Sequence, residues 1–120
     1  MTEVPLGEDE VFEINITLGS TADPITAVIV DGDNEEIDLS GWTIVFRMVD
    51  IETGIVKINN AACTVNDRAN GKVSYSFTAT DINTEGCYQA WFIRKQGILE
   101  GWYPGGKRKM IINVVKPVGS

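Results

Sequence analysis

Apolar and polar positions alternate along this chain with a period of two. Phe12, Ile14, Ile16 and Leu18 fall on one side of an extended segment, with Glu13, Asn15 and Thr17 on the other. Such alternation predicts a half-buried strand. Gly19-Ser20-Thr21 and Asp23-Pro24 interrupt it, and the β-branched run over 25–30 predicts a second strand. Asp31-Gly32-Asp33-Asn34 supplies turn chemistry. Trp42, Ile44, Phe46 and Met48 then alternate with Thr43, Val45 and Arg47 as the clearest core strand of the first half. Glu52-Thr53-Gly54 predicts a tight turn, and 55–58 a short return strand. Ala61, Cys63 and Val65 share one face of the next segment. Val73, Tyr75 and Phe77 alternate with Lys72, Ser74 and Ser76, and Tyr88, Ala90 and Phe92 with Gln89, Trp91 and Ile93. Residues 102–109 read as a polar, aromatic, Gly-Pro-rich loop before a last strand over 110–115.

No segment carries a helical stripe. About seven or eight short strands separated by turns predict an all-β, immunoglobulin-like antiparallel β-sandwich. Its core is predicted to hold Phe12, Ile14, Ile16, Trp42, Ile44, Phe46, Val73, Tyr75, Phe77, Tyr88, Ala90 and Phe92. Residues 1–120 form a single domain on this reading, with flexible ends over about 1–7 and 116–120.

Composition narrows the functional classes. With 43% of its residues apolar, the chain can fill a core without disulfide or metal staples. No apolar run approaches the roughly 20 residues of a membrane span, and the first residues lack the basic and apolar regions of a secretory signal. The absence of histidine excludes His-based triads and His metal sites. The net charge of −7 argues against nucleic acid and anionic membranes as partners. Its distribution is uneven. Residues 1–46 hold eleven acids and no Lys or Arg, 47–93 hold four bases against five acids, and 94–120 hold six bases against Glu100 alone. Acidic and basic patches would suit head-to-tail contact with a second copy or with an oppositely charged partner.

The remaining chemical motifs are weak. Asp31-x-Asp33-x-Glu35 resembles the start of a calcium loop, but Glu36 and Trp42 stand where the sixth-position Gly and twelfth-position Glu belong. Gly105-Gly106 lacks the spacing of a phosphate loop. No two carboxylates stand out as an acid–base pair. No catalytic residue, metal site or cofactor is predicted, and the chain is read as a non-enzyme. Strand parity points Cys63 inward and Cys87 outward, which disfavours a bridge between them. Gly86-x-Tyr88 has the order of a tyrosine corner, in which a hydroxyl at a strand start bonds back to the upstream backbone.

Candidate contact residues are Trp91, which alternates out of its strand's apolar face, Trp102 and Tyr103, and the following Lys107, Arg108 and Lys109. Aromatics and Arg are enriched at interface hot spots. The same aromatics would suit stacking on sugars, so a carbohydrate-binding sandwich, with a surface glycan as ligand, is the alternative reading.

Several pieces line up in order. These are Gly7-Glu8-Asp9 before the first strand; Ile37-Asp38-Leu39-Ser40-Gly41 before Ile44-Val45-Phe46-Arg47-Met48; Gly71-Lys72-Val73-Ser74-Tyr75-Ser76-Phe77; Asp81; Gly86-Cys87-Tyr88-Gln89-Ala90-Trp91-Phe92; and Pro104-Gly105-Gly106. Over roughly 7–115 this order resembles the N-terminal domain of phage baseplate upper proteins (the BppU type). The resemblance implies a virion structural protein, made in the host cytoplasm, that acts as an adaptor in a tail, baseplate or neck. Its partners would be other phage structural proteins, and it would form a homo-oligomer or ring within the particle. The sequence shows no helical stalk or fibre domain after the sandwich, which leaves open a free-standing adaptor, a capsid decoration protein or a domain excised from a longer chain.

Overall fold

The computed structural model describes residues 3–5, 11–20, 24–30, 35–104 and 109–116. They form ten strands: β1 (Glu3–Pro5), β2 (Val11–Thr17), β3 (Ile25–Val28), β4 (Thr43–Asp50), β5 (Val56–Ala62), β6 (Thr64–Asp67), β7 (Lys72–Tyr75), β8 (Gly86–Gln96), β9 (Leu99–Tyr103) and β10 (Lys109–Val115). A four-stranded sheet runs β1-β3-β7-β6, and a six-stranded sheet runs β2-β10-β8-β4-β5 with β9 also on β8. The all-β sandwich expected from the alternation is the fold observed.

β8 organises the larger sheet. β4 pairs with it along nearly its whole length, from Thr43 opposite Lys95 to Asp50 opposite Tyr88. On its other edge β10 takes the first half and β9 the second. Period-two alternation sends Tyr88, Ala90 and Phe92 of β8, Ile44, Phe46 and Met48 of β4, and Met110 and Ile112 of β10 to the inner face, where all are buried. The opposing sheet contributes Ile25, Ala27, Val73 and Tyr75. The two sheets meet through aromatic rings. Phe46 stacks on Tyr75 at 4.6 Å between centroids, and Phe77 and Phe92 meet Phe46 edge-on at 5.9 and 5.1 Å. Of the expected core, Ile14, Ile16 and Trp42 pack on this cluster half-buried rather than inside it. The side chain of Phe12 lies outside the described residues.

The strand count exceeds the expected seven or eight for identifiable reasons. β1, inside the stretch expected as a flexible end, is a three-residue strand ending in Pro5 that pairs in parallel with β3. β2 also joins β10 in parallel, so two ladders depart from the antiparallel rule that governs the other six. The segment read around Ala61, Cys63 and Val65 crosses between sheets at Cys63, whose amide donates to the Ile44 carbonyl at 3.1 Å. The Trp102-to-Lys109 loop is shorter than expected, because Trp102 and Tyr103 belong to β9 and Lys109 opens β10.

The tyrosine corner is present. The buried Tyr88 donates its hydroxyl to the Thr84 carbonyl at 2.8 Å, tying β8 to the connection before it. In the same connection Asp81 Oδ2 accepts from the Tyr75 hydroxyl at 2.6 Å and the Thr78 amide at 2.8 Å. At the opposite end Arg68 Nη1 donates to the carbonyls of Leu39 and Trp42, both at 2.9 Å, and Ile29 donates to the Gly71 carbonyl at 2.9 Å. Gly71 has φ +68°, and a Cβ there would lie 2.6 Å from the Ile29 carbonyl oxygen, so that turn demands glycine.

Candidate interaction surface

The outer face of the six-stranded sheet is set by the same registers, read one residue out of phase. Arg47 faces Trp91 across β4 and β8, Trp102 of β9 faces Ile93, and Glu100 faces Lys95. These side chains form one connected ladder. The Trp91 and Trp102 rings meet edge-to-face at 5.3 Å, and the Arg47 guanidinium sits 5.7 Å from the Trp102 centroid. Arg47 Nη1 donates to Asn59 Oδ1 at 2.8 Å. The Trp102 indole donates to Glu100 Oε1 at 2.6 Å, and Glu100 Oε2 lies 3.7 Å from Lys95 Nζ. Beneath them Ile93 is fully buried although it points to the outer face. The edge-to-face pair contributes about 0.5–1.5 kcal/mol beyond its buried area, and the exposed Lys95–Glu100 pair adds little. The ladder thus fixes the orientation of two large aromatics on a surface more than it stabilises the fold.

A second arrangement closes the end of the sandwich where β8 finishes. Tyr103 faces Phe92 in register, on the inner side, and packs half-buried on the core. The Arg94 guanidinium lies 4.3 Å from the Trp42 centroid and 5.6 Å from that of Tyr103. Its Nε is buried without a hydrogen-bond partner. Gly101 makes room for it, since a Cβ at that position would stand 3.0 Å from Arg94 Nε.

The expected contact residues therefore divide. Trp91 and Trp102 come together on one face, while Tyr103, adjacent in sequence, faces the other way because β9 is a strand. Lys109 is exposed at the start of β10. Lys107 and Arg108 lie outside the described residues, as does the whole turn over 31–34. Sequence reading missed Arg47, Lys95, Glu100 and Arg94. Arg47 carried a partial signal as the polar position between Phe46 and Met48, but strand register was needed to place it against the tryptophans. Among the described residues, no three His, Cys, Asp or Glu side chains gather as metal ligands. Both thiols are free, with Cys87 exposed and Cys63 half-buried.

Local electrostatics follow burial and hydrogen bonding. Loss of solvent pushes the Cys63 thiol up to about 12 and raises the Tyr75 and Tyr88 hydroxyls, with Asp81 adding to the effect at Tyr75 and Asp50 at Tyr88. The exposed Asp38 carboxyl is held below its ordinary range by the Ser40 hydroxyl and amide that donate to it.

No family model matches the chain, and no curated protein matches it. Among solved structures, the N-terminal domain of phage TP901-1 ORF48 is similar to it over 89% of this chain and 99% of that domain's chain, with a TM-score of 0.60 and 17% sequence identity. At that identity the likeness is one of fold, and it bears out, at the level of architecture, the resemblance to the baseplate-upper type read from the order of the sequence motifs.

Proposed function

We propose that this protein is a non-enzymatic structural component of a bacteriophage particle, an adaptor that positions other virion proteins in a tail, baseplate or neck. The observation that carries the reading is the extent of the fold likeness: 99% of the phage TP901-1 domain's chain is covered, so the shared unit is a whole domain rather than a common strand motif. The surface agrees with a binding role. The ladder of Arg47, Trp91, Trp102, Glu100 and Lys95 presents an oriented aromatic pair on the outer face, with charges that set approach and register. Lys109, exposed at the start of β10, adds a further positive charge beside β8.

Mass spectrometry and antibody labelling of gradient-purified particles from the producing cells test the reading. The protein should band with the particles, and labelled particles should carry it at one defined location. Recovery only in the soluble fraction would overturn the virion role. Once the neighbouring virion protein is identified by crosslinking, Trp102→Ala should weaken its binding by about 2 kcal/mol or more, the scale of an interface hot spot. A glycan array run in parallel decides the carbohydrate-binding alternative, which would need Trp102-dependent sugar binding by protein that is absent from particles.

A further inference from the structure

Among the described residues, most exposed large apolar side chains gather at the two ends of the six-stranded sheet. At one end the β4–β5 turn carries Ile51 and Ile55, 50% and 66% exposed, with Val56 and Val115 nearby. At the other, the β8–β9 turn carries Ile98, fully exposed, and Leu99, 56% exposed. These ends are opposite because β4 and β8 run antiparallel, with Asp50 opposite Tyr88 and Thr43 opposite Lys95. The length of β8 separates them by about 30–35 Å.

Each end adds a charge, of opposite sign, that forms no ion pair among the described residues. Glu52 stands between Ile51 and Ile55 in the turn. Its amide bonds Asp50, but its carboxylate has no hydrogen bond or ion pair among the described residues. Near Ile98 and Leu99, Arg94 is held against Trp42 and Tyr103, with Nε desolvated and no acid within ion-pair distance among the described residues. Nε is sealed beneath the rings, so the terminal Nη1 and Nη2, which are not buried, are the donors left to meet an acid. Stacking between rings fixes the plane of the guanidinium, and this end-on pair can take a carboxylate through two parallel N–H donors.

We propose that the Arg94 cradle is a carboxylate-receiving site, and that its occupant is Glu52 of a second copy of this chain. Ile98 and Leu99 of one copy pack against Ile51 and Ile55 of the next. The second copy is the partner because one chain carries both halves of the match, apolar with acid at one pole and apolar with guanidinium at the other. Such a contact is head-to-tail, and repeats into a ring where the rotation closes or into a filament where it does not. The inference rests on the assembly reading above and deepens it by naming the partner and both surfaces. It leaves the outer-face tryptophans free for a different virion protein.

Sedimentation of the full chain over a range of concentrations and salt provides the test, with each variant's melting compared to the parent's. The parent should associate reversibly, more weakly at high salt. Arg94→Glu and Glu52→Arg should each weaken association by about tenfold or more, because each places like charges opposite one another. An equimolar mixture of the two variants should regain association close to the parent's, since each altered position then meets an opposite charge on its neighbour. Ile98→Ser, at a fully exposed turn position that the fold does not need, should weaken association at every salt concentration, and it carries the test if Arg94→Glu does not fold. A parent that stays monomeric throughout overturns the proposal. So does a mixture of two folded variants that fails to associate, or a folded Glu52→Arg and Ile98→Ser pair that both assemble like the parent. Particle incorporation is measured separately, so a monomeric protein that still bands with virions would refute this contact and leave the virion reading standing.

Discussion

The two faces of β8 use aromatic residues for different ends. On the inner face, Tyr88 and Phe92 are buried, and Phe92 meets Phe46, itself stacked on Tyr75, within a cluster that spans both sheets. Those rings touch mainly other apolar groups, and removing one leaves a cavity whose cost grows with the volume the sandwich fails to close. On the outer face, Trp91 and Trp102 touch each other, with Arg47 and Glu100 against Trp102. One side of that pair faces water. The difference teaches that aromatic content alone does not locate the core of a sandwich. The residues across the ladder decide whether a ring holds the fold together or is displayed by it.

Breaking the inner face should have the largest effect. Phe46 is fully buried and contacts Tyr75, Phe77 and Phe92. Phe46→Ala should cost about 3–5 kcal/mol in urea unfolding, combining lost transfer energy with the cavity left behind. A cost under about 1 kcal/mol would place the dominant packing elsewhere.

The tyrosine corner sharpens the comparison with a smaller change. Tyr88→Phe keeps the ring in the core and removes only the hydroxyl that donates to the Thr84 carbonyl at 2.8 Å. The expected loss is about 1 kcal/mol, the net value of one hydrogen bond. An unchanged unfolding midpoint would mean that the ring alone holds the corner.

The outer face should tolerate more. Trp102 is 39% exposed and its indole bonds the exposed Glu100. Trp102→Phe keeps an aromatic against Trp91 but removes the indole donor. Stability should fall by about 0.5 kcal/mol or less, the scale of surface substitutions, while crosslinking to a neighbouring virion protein falls clearly. Equal losses of stability and binding would make the pair a structural cover.

How far the sequence disclosed these roles depends on distance along the chain. Inner and outer sides of β4 and β8 were legible because period-two alternation is local: Phe46 and Met48 against Arg47, Tyr88 and Phe92 against Trp91. The corner was legible because Gly86 and Tyr88 lie two residues apart and the acceptor is four residues upstream. β9 was not legible. Gly101 and Pro104 flank its two aromatics, and glycine there serves the close approach of Arg94 rather than a turn. Reading Trp102 and Tyr103 as one loop joined residues that a strand sends to opposite faces. The Arg94 cradle was hidden for a related reason: Trp42, Arg94 and Tyr103 meet only once β4, β8 and β9 are in register, and register between distant strands is set by the whole sheet. The parallel pairing of β1 with β3 and of β2 with β10 was equally out of reach, since alternation carries no information about direction.

The two cysteines offer the finest test of the same contrast, because one lies on each side. Cys63 packs on the core at the crossing from β5 to β6, and Cys87 is exposed on the outer face of β8. Native protein should show one rapidly alkylated thiol, lost in Cys87→Ala, and one slow thiol that reacts at the unfolded rate only in denaturant. The pH dependence follows from the Cys63 thiol, which burial raises from an ordinary value of 9.0 to about 12. With its folded value above its unfolded one, this group's contribution to stability is fully present below pH 9 and is lost as pH rises toward 12. Over that window the unfolded chain has released a proton that the folded chain still holds, so stability must fall with rising pH. The raised hydroxyls of Tyr75 and Tyr88 act in the same direction above pH 10, their ordinary value. Cys63→Ala should therefore flatten the decline most around pH 9, where the unfolded tyrosines are still largely protonated, and leave in place the fall near and above pH 10 to which the tyrosines contribute. An identical slope in the variant, or rapid alkylation of Cys63 in the native protein, would show that the crossing opens to solvent and that the inner face is less sealed there than at Phe46.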